Sequence, residues 1–137
     1  MTKRQKGWIY NPPKQPKPKV PANVKAELER KAEILVETIL KPAHVKPPPE
    51  DARFNYIVDI YTKWYRSYFY FCAEYYCPGP NAIAPSFEAK FARLEYAGEN
   101  SFALSFVRHT GQWVEIYTGL PMDECLALIE DDPLFHP

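Results

Sequence analysis

Glycine is scarce in this chain, five in 137 residues, and Gly7, Gly79, Gly98, Gly111 and Gly119 stand singly. A phosphate-cradling loop needs glycines clustered where backbone approaches an anion, so nucleotide binding of that kind is excluded. No apolar run approaches the ~20 residues needed to span a bilayer, so no membrane insertion is expected. The first residues, MTKRQKGWIY, lack the apolar stretch of an export signal, which points to a cytoplasmic location. The three cysteines, Cys72, Cys77 and Cys125, are an odd number in such a chain and read as reduced thiols. No HExxH, no nucleophile motif and no paired Asp/Glu constellation is present, so no catalytic residue is assigned.

Acid is also missing from residues 1–21, where Lys3, Arg4, Lys6, Lys14, Lys17 and Lys19 give a charge of +6. Residues 22–53 cancel, and residues 54–137 carry −6, so a net charge of zero hides a basic tail on an acidic body. Prolines 12, 13, 16, 18 and 21 keep this tail out of helix and central strand. It reads as an extended polyproline arm, with Trp8, Ile9 and Tyr10 as a small anchor. Such an arm serves either to dock on a partner or simply to solubilise.

Aromatics are abundant by contrast, and the run FNYIVDIYTKWYRSYFYFCAEYYC, Phe54 to Cys77, concentrates them. Neither Gly nor Pro breaks it. Aromatic and β-branched side chains suit a pleated surface better than a helix, so two strands are expected, joined near Lys63–Arg66. Before the run, Asn23 reads as the N-cap of an amphipathic helix, VKAELERKAEILVETILK, buried through Leu28, Ala32, Leu35 and Ile39 and stopped by Pro42. A proline-rich crossover, KPAHVKPPPED, then leads to the sheet.

After the run, three hairpin-linked strands are expected. In FEAKFARLEY, Phe87, Ala89 and Phe91 have one parity and Leu94 and Tyr96 the other, so a bulge near Ala92–Arg93 is needed. Phe102, Leu104 and Phe106 share a face of the next strand. Trp113, Glu115 and Tyr117 alternate with Val114 and Ile116 in the last. A short helix, DECLALIEDD, follows Pro121 and turns Leu126, Ile129 and Cys125 to the sheet, with Leu134 and Phe135 tucking back. The fold expected is α+β, an antiparallel sheet of about five strands with an N-terminal and a C-terminal helix covering one face. The arm is residues 1–21 and the single domain residues 22–137. Tyr68, Tyr70 and Tyr76 would mark the wetter face of the sheet.

The segments FARLEY, FALSFVRHTGQWVEIY and LPMDECLALIEDDPLF, with Trp113 and Tyr117 in one strand and Asp132, Pro133 and Phe135 closing the chain, resemble a small bacterial family called domain of unknown function 3024. The resemblance covers roughly residues 87–137. It implies a small α+β domain and brings no activity with it.

Cys72 and Cys77 would need a partner from His44, His109, Cys125 or His136 to hold a metal. Four residues intervene between them and a strand would turn them to opposite faces, so buried thiols are expected, with no metal and no cofactor. Arg108 and His109, beside Thr110 at a hairpin tip, are the one place for general-base or anion chemistry; the plainer reading flanks a turn and pairs Arg108 with Glu95 or Glu115. Lys63-Trp64-Tyr65-Arg66 interleaves cations with aromatics, as base-stacking surfaces do, although an acidic domain repels phosphate. Two functions follow. The first is a non-enzymatic interaction module or accessory subunit whose arm, through Lys3 to Lys19, reaches a protein partner. The alternative is RNA binding through the arm with Lys63, Trp64 and Arg66. The sequence leaves the oligomeric state open.

Overall fold

The aromatic run folds as a hairpin in the computed structural model, which describes residues 18–48, 50, 54–80 and 82–137. Strands β1 (Tyr56–Tyr65) and β2 (Tyr68–Tyr76) pair antiparallel, from Tyr56 opposite Tyr76 to Tyr65 opposite Tyr68. The joint is the two-residue turn Arg66–Ser67, later than the Lys63–Arg66 expected, so Lys63 and Trp64 belong to β1. Arg66 takes a φ of 56°, in the left-handed region that lets so short a loop follow the twist of the strands.

Three more strands continue the meander: β3 (Ser86–Gly98), β4 (Ser101–Val107) and β5 (Trp113–Pro121). The five-stranded sheet has the order β1-β2-β3-β4-β5, every pair antiparallel. Two breaks in register decide which side chains face which way. Phe71 pairs with Ala92 but Cys72 with Lys90, leaving Phe91 as an extra residue. That bulge, one residue before the place expected, brings Phe91, Leu94 and Tyr96 into the core together. In β5, Ser105 faces Glu115 while Leu104 faces Tyr117, so Ile116 is the odd residue. Tyr117 therefore leaves the face of Trp113 and Glu115, against simple alternation, and its ring lies 6.4 Å from that of Phe135.

Helix α1 (Ala22–Leu35) begins after Pro21, with Pro21 and not Asn23 at the cap position and no side-chain capping bond. Pro42 does not stop it. The helix passes through a π turn, Val36–Leu40, and a last α turn, α2 (Lys41–His44). The reason is steric: a helical proline lacks an N–H, and its ring crowds the carbonyl four residues back. The wider π turn just before Pro42, in which the Lys41 N–H donates to the Val36 carbonyl, relieves both. Lys41 then bridges Glu37 at 2.9 Å and Asp59 of β1 at 3.2 Å, tying this end of the helix to the sheet.

Helix α3 (Met122–Asp131) follows Pro121 directly, and a 3-10 turn, Pro133–Phe135, folds Phe135 back into the core. Leu134 stays outside. Lys31 of α1 reaches Asp123 of α3 at 2.7 Å, which sets the two helices side by side on one face of the sheet. Between helices and sheet lies one core. Val24, Leu28, Ala32, Leu35 and Leu40 meet Ile60, Phe69, Phe71, Leu94, Phe102 and Leu104, with Cys125 and Ile129 from α3. Ile39, expected inside, is exposed; the π turn puts Val36 and Leu40 there instead. Each large side chain buried in this way contributes about 1.5–3 kcal/mol.

Candidate functional site

With both helices on one side, strand alternation puts a second set of residues on the other. Tyr61, Lys63 and Tyr65 of β1 pair with Cys72, Tyr70 and Tyr68 of β2. Their neighbours across β3 and β4 are Glu88, Lys90, Arg93, Glu95 and Ser105, with Trp113 and Glu115 at the far edge. No helix covers this open face among the described residues; its own long side chains do. Beneath them the small residues Cys72, Ala103 and Ser105 are buried.

Two arrangements organise the face. In the first, the Arg93 guanidinium carbon lies 4.5 Å from the ring centroid of Tyr68 and 4.7 Å from that of Trp113. Tyr70 sits 5.8 Å from Trp113, and the Lys90 ammonium lies 5.5 Å over Tyr70. Each cation over a ring is worth about 0.5–2 kcal/mol, more as water is excluded. Arg93 Nε is buried with no hydrogen-bond partner among the described residues. A donor left so is a standing penalty of roughly 1–3 kcal/mol that an incoming acceptor would lift.

In the second, Glu88 is a hub. Lys63 Nζ donates to Glu88 Oε2 at 2.6 Å, the Tyr61 hydroxyl donates to Oε1 at 2.7 Å, and Lys90 Nζ stands 3.7 Å away. The Lys63 bond, with Tyr61 and Lys90 adding to it, holds the Glu88 carboxyl down at about 2. The same carboxylate raises Lys63. Burial and Glu88 together push Tyr61 well above the usual phenol range.

The candidate residues separate accordingly. Lys63 is held by Glu88 on the open face, while Trp64 points the opposite way, beneath α1, 5.0 Å from the Phe69 ring with Lys25 lying 5.5 Å over it. Trp64 Nε1 is buried and likewise has no partner among the described residues. The sequence therefore interleaves cations and aromatics that the sheet divides between two surfaces. Arg66 stays at the rim, 5.2 Å over the exposed ring of Tyr65. A recess of about 500 Å³ beside it is lined by Pro18, Lys19, Lys25, Arg66, Tyr65 and Tyr68, among others, and by no acid among the described residues. Lys3, Arg4, Lys6, Trp8, Tyr10, Lys14 and Lys17 lie outside the described residues.

Arg108 and His109 are fully outside the core at the β4–β5 hairpin, whose loop closes through the Arg108 N–H to the Gln112 carbonyl at 2.8 Å. The structure does not bring them together with the open-face cluster. Cys72 and Cys125 are buried, and burial pushes both thiols up to about 12, which keeps them neutral and unreactive. Cys77, expected to be buried, is only half-buried, because it lies beyond the end of β2. Among the described residues no group of three His, Cys, Asp or Glu side chains could hold a metal ion, and no helix is long and apolar enough to cross a membrane. Arg93, Lys90 and Glu88 were not singled out from sequence, and Trp113 was noted there as a strand residue and not as part of a site. Strand parity was the available signal, and the Phe91 bulge interrupts it between Lys90 and Arg93.

No curated protein and no solved structure matches this chain. A family match extends well beyond the C-terminal half in which the resemblance was read, taking in the first helix and the aromatic hairpin. The chain belongs to the family described as domain of unknown function (DUF3024), which matches residues 20–137.

Proposed function

We propose that this protein is a non-catalytic interaction module whose open sheet face docks a protein partner. One observation carries the reading: a sheet face that no other element covers among the described residues concentrates Tyr68, Tyr70, Arg93 and Trp113, with an Arg93 donor that has no partner among those residues. Tyr, Trp and Arg dominate binding energy in protein interfaces, because they bring large rigid area and a polar tip. The ion pairs of Glu88 with Lys63 and Lys90 make a polar rim around this centre.

A second reading, nucleic-acid binding, is favoured by the recess at the β1–β2 turn, where Lys19, Lys25 and Arg66 meet Tyr65 and Tyr68 without an acid among the described residues. One experiment separates the two. Tagged full-length protein is used for capture from lysate, with and without nuclease, alongside Trp113→Ala and Arg66→Glu. The module reading predicts a stoichiometric protein partner that survives nuclease and is lost with Trp113→Ala. Material lost with nuclease and with Arg66→Glu, but kept in Trp113→Ala, supports the nucleic-acid reading and sinks the first.

A further inference from the structure

Strand β1 ends the sheet, and its hairpin settles which of its backbone groups point outward. A two-residue loop makes its flanking pair, Tyr65 and Tyr68, a hydrogen-bonded one, so Tyr65, Lys63 and Tyr61 bond into β2. Trp64, Thr62 and Ile60 alternate with them and turn their N–H and C=O groups away from the sheet. The Ile60 N–H bears out that parity, since it donates to the Asp59 carboxylate at 2.9 Å and not to β2. Nothing among the described residues bonds the outward N–H of Thr62 or Trp64. Beside this edge runs a groove of about 370 Å³, with Thr62 and Trp64 on one side and Glu29, Glu33 and Glu37 on the other. Lys25 lies over Trp64 and Lys41 bridges Asp59, so the helix runs antiparallel alongside β1 and its glutamates file along the edge. Glu29 and Glu33 hold no cation among the described residues, and the lysines of the groove, Lys41 and Lys63, are already bonded to other carboxylates.

We infer that this edge takes an extended basic segment of a partner protein, added antiparallel as a sixth strand with its lysines or arginines on the helix side. Open backbone groups at a sheet edge pair with any chain that presents its own, which makes the occupant a strand. Antiparallel bonding is the more stable kind per residue and continues the order of the sheet. The file of glutamates makes the occupant basic. In such a pair the residues opposite Thr62 and Trp64 turn their backbone to β1 and their side chains to the face that carries the helices. Successive side chains on that face stand about 6.7 Å apart. Glu29 and Glu33 are separated by about 6 Å along the helix, so two alternate basic residues meet two glutamates. A second copy of this chain is the poorer occupant, since edge-to-edge pairing would bring its own Glu29, Glu33 and Glu37 against these. The Asp59 carboxylate, which already takes the Ile60 N–H, confines the added strand to the stretch near the turn. The surface is separate from the open face, and the inference does not rest on the reading given to that face.

The probe is a capped peptide, Lys-Thr-Lys-Val-Lys-Thr, titrated into isotope-labelled full-length protein at low salt, with amide shifts and amide hydrogen exchange as the readouts. The amides of Thr62 and Trp64 should exchange quickly in the free protein and slow about tenfold at about ten times the Kd of the peptide. Backbone N-methylation of the peptide's lysines should abolish binding, and N-methylation of its threonines and valine should leave it, because only the lysine N–H groups face β1. Binding should weaken roughly threefold for each carboxylate removed in Glu29→Gln with Glu33→Gln, and severalfold at about 1 M salt. No saturable shift at Thr62 and Trp64 up to about 1 mM peptide overturns the inference. Equal binding of Glu-Thr-Glu-Val-Glu-Thr, or binding lost on methylating the threonines and valine but kept with methylated lysines, overturns it as well. Slow exchange of both amides in the free protein does the same, because the edge is then already covered, by a second copy where exchange depends on concentration and by the chain itself where it does not.

Discussion

Replacing Glu88 with glutamine removes the charge that Lys63, Lys90 and the Tyr61 hydroxyl share, while leaving a side chain of nearly the same shape. The folded carboxyl titrates at about 2 against an ordinary value of 4.5, chiefly through the Lys63 bond. At about 1.4 kcal/mol per unit the upper limit is roughly 3.5 kcal/mol. The Lys63 side chain is 42 % exposed, so water and salt screen much of that, and ~1–2 kcal/mol is expected. The sign follows from linkage. A carboxyl depressed in the folded state stabilises above its unfolded value and loses that contribution as pH falls from about 4.5 to about 2. Urea unfolding of wild type and Glu88→Gln should therefore show a gap of ~1–2 kcal/mol near neutral pH that closes across that acid window. A gap that does not change with pH would mean that shape, not charge, is lost. No gap at neutral pH would mean that the hub contributes nothing to the fold.

A thiol reagent should label Cys77 alone in the native protein, with Cys72 and Cys125 reacting only on unfolding, since burial raises both; rapid labelling of either contradicts their packing. His44, at 5.1 Å from the His136 ring, is lowered by burial first and then by His136 and Lys46. Stability should then fall as pH drops below about 6.5, and His44→Gln should flatten that slope in thermal melts. Leu28→Ala, at a position with no exposed surface between α1 and the sheet, should cost about 2–5 kcal/mol in urea titration; a change within a few tenths would mean that α1 is not docked. Pro42→Ala should be tolerated within about 1 kcal/mol if the π turn already accommodates the ring, and a large loss would refute that account of the helix.

The fold was legible where period and punctuation agree. Aromatic density between Phe54 and Cys77, the turn glycines Gly79, Gly98 and Gly111, and a helical file from Val24 to Leu35 each pointed to the element found. What escaped were the departures from regular period. Pro42 reads locally as a stop, because the π turn that tolerates it is set by burying Val36 and Leu40 against the sheet. Tyr117 reads with Trp113 until the Ile116 bulge reverses it, a choice made by packing against Phe135. The need for a bulge in β3 was visible in the parity of Phe91 and Leu94, but its position was not. That one residue decides whether Lys90 and Arg93 share a face, which is why the Arg93 cluster stayed hidden. Lys63-Trp64-Tyr65-Arg66 failed as a joint surface for the converse reason: strand alternation divides what the sequence sets side by side.

The account rests on the open face being the working surface, and site-specific photo-cross-linking in cells tests that most directly. A photoreactive phenylalanine analogue in place of Tyr70, at the centre of the face, is compared with one in place of Glu130, exposed on α3. The account predicts a discrete, nuclease-resistant adduct to a protein partner from position 70 that position 130 does not give. An adduct from position 130 alone, or none from position 70 under conditions where the partner is captured, would place the interface elsewhere and contradict it.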